Sequence, residues 1–306
     1  MASLRDIRNR INSVKNTQQV TRAMKMVAAA KLRRAQERIF QTRPYAFTVH
    51  SLLTRLRTQA DPSDHPLFER RDERRRALLI IVTADRGLAG AFNTNVIKTA
   101  EEEIEANFSD RRRRGDLFLM CIGRRGRDHF AKRGYQLVGD YAGVFDHLTF
   151  AVARDAATMA TEGYLEGRWD EVKLVYNEFK NTISQNRVVE PFLPVPTEEF
   201  LTPVMEEQVT LSDRATTGSV ELIYEPDAQT ILKALIPRYL NYQLWRILLE
   251  SNAAEQGARM VAMDNATSNA QELLRDLTLK YNRARQSAIT TEIIEITSGA
   301  NALEAS

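Results

Sequence analysis

Glycine is nearly absent from both ends of this chain. The first is Gly87, and beyond Gly218 only Gly257 and Gly299 remain. Glycine supplies the left-handed and tight-turn conformations that other residues resist, so almost all turn chemistry is confined to one central segment. The flanks must then be long helices, and their periodicity agrees. From a start at Ser3, with Asp6 in the first turn, the residues Leu4, Ile7, Ile11, Val14, Gln18, Thr21, Lys25, Ala28, Leu32, Ala35 and Ile39 fall at heptad spacing. Toward the other end, Met260, Met263, Thr267, Ala270, Leu274, Leu277, Tyr281, Ala284 and Ala288 do the same. Both stripes are thin in large aliphatics. Sixty to seventy helical residues extend roughly 90 to 100 Å, more than a small domain can cover, so the simplest solution winds the two helices around each other as an antiparallel coiled coil. Pro44 should interrupt the first helix; the second should begin near Pro226 and Asp227 and run to about Thr297, with Pro237 either kinking it or marking a late start. The apolar residues Ala288, Ile289, Ile293 and Ile294 have no obvious internal partner, which suggests a sleeve made by other subunits.

The central segment alternates. Ala77–Thr83 and Leu117–Ile122 are continuous apolar runs of strand length, Val172–Phe179 is a third, and helical stretches lie around Asn93–Asn107, Arg124–Lys132 and Leu148–Leu165. Such alternation predicts an α/β layer with a mostly parallel sheet. Tyr135–Val138 reads as a short strand, and Arg187–Val195, with its prolines, as an edge partner. The expected organisation is an N-terminal coiled-coil helix (1–60), a charged loop (61–76), a Rossmann-like central α/β domain (77–224) and a C-terminal coiled-coil helix (225–306).

Catalytic signals are thin. The turn Thr83-Ala-Asp-Arg-Gly-Leu-Ala-Gly90 follows the first strand, yet it lacks both the third glycine of a dinucleotide fingerprint and the Gly-Lys-Ser/Thr of a P-loop. It reads as a tight strand-to-helix turn from which Arg86 projects. His50, His65, His129 and His147 are far apart, with no metal-ligand spacing. The single cysteine, Cys121, excludes an internal disulfide and sits in a strand. The runs 69–76 and 110–115 are rich in arginine but lack interleaved aromatics, so they read as solvated loops rather than nucleic-acid surfaces. Net charge is only +3, but about a dozen Lys and Arg oppose just Asp6 and Glu37 up to Arg57, which points to an acidic partner surface. No apolar run approaches the roughly 20 residues of a membrane span, and no secretory or transit signal opens the chain, so it is expected to stay in the compartment where it is made.

The segments Thr17–Lys31, Asp85–Gly90, Gln256–Met263 and Tyr281–Ala300 together resemble the gamma subunit of F-type ATP synthase, and the last carries that family's C-terminal pattern at Ile289, Thr290, Glu292, Glu295, Gly299 and Ala300. The resemblance implies a non-catalytic rotary shaft without a cofactor, turning inside a ring of three alpha and three beta subunits. Its central domain would meet the epsilon subunit and the c-ring, the chain's one link to the membrane. By position, Met24 and Arg259 would lie near acidic beta loops, Arg285 and Gln286 would hydrogen-bond a beta loop, Thr290 and Glu292 would lie beside them, and Arg86 would reach the ring's lower edge. Ala89 stands where many relatives carry cysteine, and the inserted cysteine pair of chloroplast relatives is absent. Both departures favour a bacterial form, peripheral on the cytoplasmic face of the inner membrane. The competing readings are a stand-alone nucleotide-binding α/β enzyme and a coiled-coil scaffold for nucleic acid. Titration calorimetry of the isolated chain with ATP and with NAD is expected to give no binding heat; a saturable signal would restore the enzyme reading.

Overall fold

The computed structural model describes residues 4–59, 65–69, 71, 74–196, 225 and 227–304. The predicted Ser3 cap, residues 61–64, 70, 72 and 73 of the charged loop, and residues 197–224 of the expected central domain lie outside them. The chain divides into two compact units, one of residues 1–27 with 260–306 and one of Ala28–Arg259.

The larger unit is built on a five-stranded sheet of order β3-β2-β1-β4-β5, with β1 at Ala77–Val82, β2 at Leu117–Ile122, β3 at Gln136–Leu137, β4 at Glu171–Phe179 and β5 at Gln185–Leu193. The first four are parallel, and β5 closes one edge antiparallel to β4, as its prolines suggested. All six residues of β1 are buried, because helices cover both faces. Side chains alternate across a strand, so Ala77, Leu79 and Ile81 meet α2 (Phe92–Asn107) and α4 (Arg124–Ala131), while Leu78, Ile80 and Val82 face the opposite core. That opposite core is lined by the alanines of α5 (Phe150–Leu165) and by the parts of α1 (Leu4–Gln59) and α6 (Ala228–Glu304) that belong to this unit. A short helix α3, Ser109–Arg114, ends in Gly115 just before β2.

Neither proline ends its helix. α1 runs through Pro44, with Ile39 and Val49 buried on either side, and α6 contains Pro237 between buried Ile236 and Leu240. One missing backbone hydrogen bond is outweighed where flanking turns are held by tertiary burial. The start of α6 falls where expected, capped by Asp227, whose carboxylate accepts the Thr230 amide at 2.7 Å and the Thr230 hydroxyl at 2.7 Å.

The arginine-rich runs are not simply solvated. Asp170 accepts the amides of Arg75 (3.1 Å) and Arg76 (2.9 Å) and pairs with the Arg71 guanidinium at 2.8 Å, which also donates to the Tyr164 carbonyl at 2.6 Å. Arg111 pairs with Glu171 at 2.9 Å. The Asp170 bonds tie the segment before β1 to the start of β4, and the Arg111 pair ties α3 to it. Close packing completes the corner: a Cβ on Gly163 would lie 2.0 Å from the Trp169 ring, whose indole donates to the Ala160 carbonyl at 2.7 Å.

Burial alone would raise the Asp170 carboxyl, but the Arg76 amide, Arg71 and the Arg75 amide together bring it below its ordinary value. A carboxyl whose folded pKa is depressed stabilises the fold above its unfolded pKa of about 4, and that contribution is lost as pH falls through the folded value. Asp170→Ala is expected to cost about 2 kcal/mol near neutral pH, and less in acid, in denaturant unfolding of the chain. Equal cost at all pH values would rule out the charged role.

Candidate functional surfaces

In the smaller unit, α1 and α6 supply the helices, and the predicted seam is the protected face. Leu4, Ile7, Ile11, Val14, Gln18, Thr21 and Lys25 are the half-buried or buried positions of α1 here, together with Met24; on α6, Met263, Ala270 and Leu277 are buried, whereas Ala288 is exposed. The seam is stitched by polar pairs, with the Thr21 and Thr267 hydroxyls 2.8 Å apart and Lys25 Nζ 2.6 Å from Asp264 Oδ1. One partner advances along its helix while the other retreats, so the strands of the coil are antiparallel. A groove of about 640 Å³ beside it is lined by Lys15, Arg22 and Lys25 as well as Asp264, Gln271 and Met26.

Further along α6, Arg285, Gln286, Thr290 and Glu292 are all exposed on one stretch of about two turns. The Thr290 hydroxyl returns to the Gln286 carbonyl at 2.9 Å, leaving the Arg285, Gln286 and Glu292 side chains as the outward polar groups. Around them Ile289, Ile293, Ile294 and Ile296 are between 47 % and 66 % exposed, an apolar stripe of the size that soluble proteins normally cover.

The larger unit carries a second surface at the turn after β1. Asp85 is its hub: Oδ1 accepts the amides of Arg124 (2.9 Å) and Gly143 (2.6 Å), and Oδ2 that of Phe145 (3.0 Å). The amides at the start of α4 are thus already engaged, Arg124 by this carboxylate, Arg125 by the Ala84 carbonyl and Gly126 by the Thr83 hydroxyl. Gly123, at φ 108°, comes so close to Thr83 that a Cβ would sit 2.1 Å from its carbonyl oxygen. Arg86 is exposed and makes a two-oxygen contact with Asp146 at 3.0 and 3.2 Å.

Arg259 does not project. Its side chain is 11 % exposed, donating to the Gly87 carbonyl and pairing with Glu255 one turn earlier on α6. Burial pushes the Glu255 carboxyl up, against the downward pull of Arg259. Ala84, Ala89, Phe92 and Ala254 pack beneath this brace, so the turn is fastened to α6. Ala89, 1 % exposed, stands inside that packing. Neither Asp85 as a hub nor Asp146 as a partner is legible in the sequence, because their bonds join residues 39 to 60 positions apart; Glu255 and Arg259, four apart on one helix, are a detectable pair.

Burial pushes the Cys121 thiol up to about 12, far from a reactive thiolate. Among the described residues there is no cluster of three or more potential metal ligands, and no helix is long and apolar enough to cross a membrane.

If Arg259 braces the turn, Arg259→Ala should raise amide exchange across Gly87–Gly90 by about tenfold or more, the equivalent of one charged hydrogen bond. Unchanged protection in hydrogen-exchange mass spectrometry would remove that role.

A family model described as ATP synthase matches residues 3–303. The ATP synthase gamma chain of Salinibacter ruber is 61 % identical over 307 residues, covering 100 % of both chains, and that of Chloroherpeton thalassium is 52 % identical over 310 residues, again 100 % of both. In fold, the chain is similar to one in the Euglena gracilis mitochondrial ATP synthase (OSCP/F1/c-ring, rotational state 3), with TM-score 0.63, 20 % identity and coverage of 99 % of this chain and 95 % of that one. A rotor chain of the same organism's enzyme gives TM-score 0.56 at 18 % identity, covering 94 % and 98 %. A coiled pair of terminal helices with an α/β module between them, matched end to end at this identity, places the chain in the ATP synthase gamma-chain family.

Proposed function

We infer that this chain is the central rotary shaft of an F-type ATP synthase, itself non-catalytic. It couples proton-driven rotation of a c-ring to sequential conformational change at three beta subunits. The observation that carries this reading is the exposed stripe of α6 at Ile289–Ile296 with Arg285, Gln286 and Glu292 beside it, a partly apolar surface that asks for a surrounding sleeve. A ring of three alpha and three beta subunits is the proposed sleeve. The module carrying the β1 turn would meet the epsilon subunit and the c-ring, keeping the chain peripheral on the cytoplasmic face of a bacterial inner membrane.

Mechanistically, rotation works by population shift. Each orientation of an asymmetric shaft presents different contacts to each beta subunit, and only that difference can favour one beta conformation over another. Exposed ion pairs and hydrogen bonds suit the task, since each is worth roughly 0 to 1 kcal/mol and can be remade at every step. Met24 and the Lys15, Arg22 and Lys25 groove would face acidic beta loops, Arg285 and Gln286 would hydrogen-bond a beta loop with Thr290 and Glu292 adjoining, and Arg86 would reach the lower edge of the ring. Arg259 would act indirectly, by holding the turn that bears Arg86.

Affinity purification from native membranes is expected to recover one copy of this chain with three alpha and three beta subunits and ATPase activity. Arg285→Ala with Gln286→Ala should lower ATP synthesis in membrane vesicles by roughly three- to tenfold while the isolated chain keeps its melting temperature. Synthesis at the unaltered rate would count against these contacts.

A further inference from the structure

Within the larger unit, Leu232, Ile236, Leu240, Leu244, Ile247 and Leu248 of α6, each at most 1 % exposed, share one apolar core with the sheet. Aliphatic contact of this kind is non-directional, and packed helices can exchange one set of ridges for the next by a one-turn slip. It holds the helix down better than it holds it in register.

Polar side chains are set into the middle of this apolar contact. Glu190 of β5 is 1 % exposed. Its carboxylate accepts the Tyr176 hydroxyl of β4 at 2.6 Å, the Gln243 side-chain amide of α6 at 2.6 Å and Arg246 Nη2 of α6 at 2.9 and 3.0 Å. Arg246 Nη1 lies 3.4 Å from the Tyr176 hydroxyl and 3.5 Å from Glu250, one turn along the helix. Tyr176 and Glu190 can converge because the register pairs Tyr176 with Val188 and Leu174 with Glu190, which puts both on one face of the sheet as diagonal neighbours.

Stability alone does not call for this arrangement. Apolar residues of similar volume commonly hold a core as well as a buried ion pair or better, and the best-attested use of buried ionic groups is to fix register. The guanidinium is held in one orientation, Nη2 on both Glu190 oxygens and Nη1 toward Tyr176 and Glu250, and a slip of one residue would turn the donor about 100° away. The helix so fixed is the one that continues to Glu304.

We propose that Glu190 and Arg246, with Tyr176 and Gln243, form a torque lock that keys α6 to the β4–β5 face. Turning force then passes between the α/β module and the rest of the helix without the helix slipping on the sheet. The proposal rests on the rotary-shaft reading above. These are positioning residues: they act through the helix and touch no nucleotide.

The test uses the whole complex reconstituted in vesicles, with the chain carrying Arg246→Met together with Glu190→Gln. The second change keeps an acceptor for the Tyr176 hydroxyl. It also adds a donor for Gln243 Oε1, which is buried without a hydrogen-bond partner among the described residues. ATP hydrolysis by the detergent-solubilised complex should stay within about twofold of the parent, while protons pumped per ATP hydrolysed and the stall torque of single surface-fixed complexes should each fall by about threefold or more. Arg246→Lys, which keeps the charge and loses the fork, should fall between the two. A role confined to folding would lower melting temperature and assembly yield but leave pumping per ATP at the parent value in every assembled complex; that result overturns the proposal. If the double variant does not assemble, Arg246→Lys decides by the same two readouts. A parent chain that neither joins an ATPase nor rotates would instead sink the shaft reading, a separate result.

Discussion

Two very long helices set the problem that the rest of the structure answers, because a helix must be covered along whichever face is apolar. In α6 that demand changes along one continuous element. Up to Ala253 it buries Leu232, Ile236, Leu240, Leu244, Ile247, Leu248 and Leu249 completely or nearly so against the sheet. From Met260 onward its protected residues are mainly methionine, threonine and alanine, with Val261, Leu274, Leu277 and Tyr281 as the larger exceptions. A helix rich in leucine throughout would bind any partner strongly along its whole length. The change of composition divides the same rod into a part fixed by burial and a part whose contacts are shallow and polar.

Ionic groups are placed to do what burial does not. Asp170 fixes the strand entrances, Asp85 gathers three amides from segments about 40 to 60 residues away, and Arg259 ties the β1 turn to α6. Each is a charge with several donors or acceptors rather than an isolated pair, which is what makes partial burial of the charge tolerable. By contrast, the pairs on exposed surface, Lys25 with Asp264 and Arg86 with Asp146, remain open to water and so can exchange partners at little cost.

Much of this was legible in the sequence where periodicity carries the information. The α1 seam from Leu4 to Ile39 coincides with its protected positions, and the strand runs, the edge role of β5 and the buried Cys121 follow from local pattern. What escaped was non-local. The helix running on through Pro44 is one case, because a local rule cannot weigh the burial on either side. The arginine runs looked solvated because Asp170 and Glu171 lie some 60 to 100 positions away in sequence from the arginines they hold. The resemblance supplies a position for Arg259 but not the intrachain partners to which its guanidinium is committed, Glu255 and the Gly87 carbonyl.

That commitment changes how the turn and the shaft are connected. An exposed Arg259 would be one more contact for a neighbouring subunit, whereas a buried one makes the β1 turn an outrigger of α6. Arg86 then projects from a platform fixed at both sides, by Arg259 to the helix and by Asp146 to the segment before α5. A lever must be stiff where it is mounted and soft only where it touches. The Glu190–Arg246 network and the Arg259 brace are two mountings on one helix, separated by 13 residues, or roughly 20 Å at 1.5 Å per residue. Two separated fixings resist tilting of α6 on the sheet in a way that neither does alone, and the helix beyond Arg259 is free to present its small, polar and exposed residues outward.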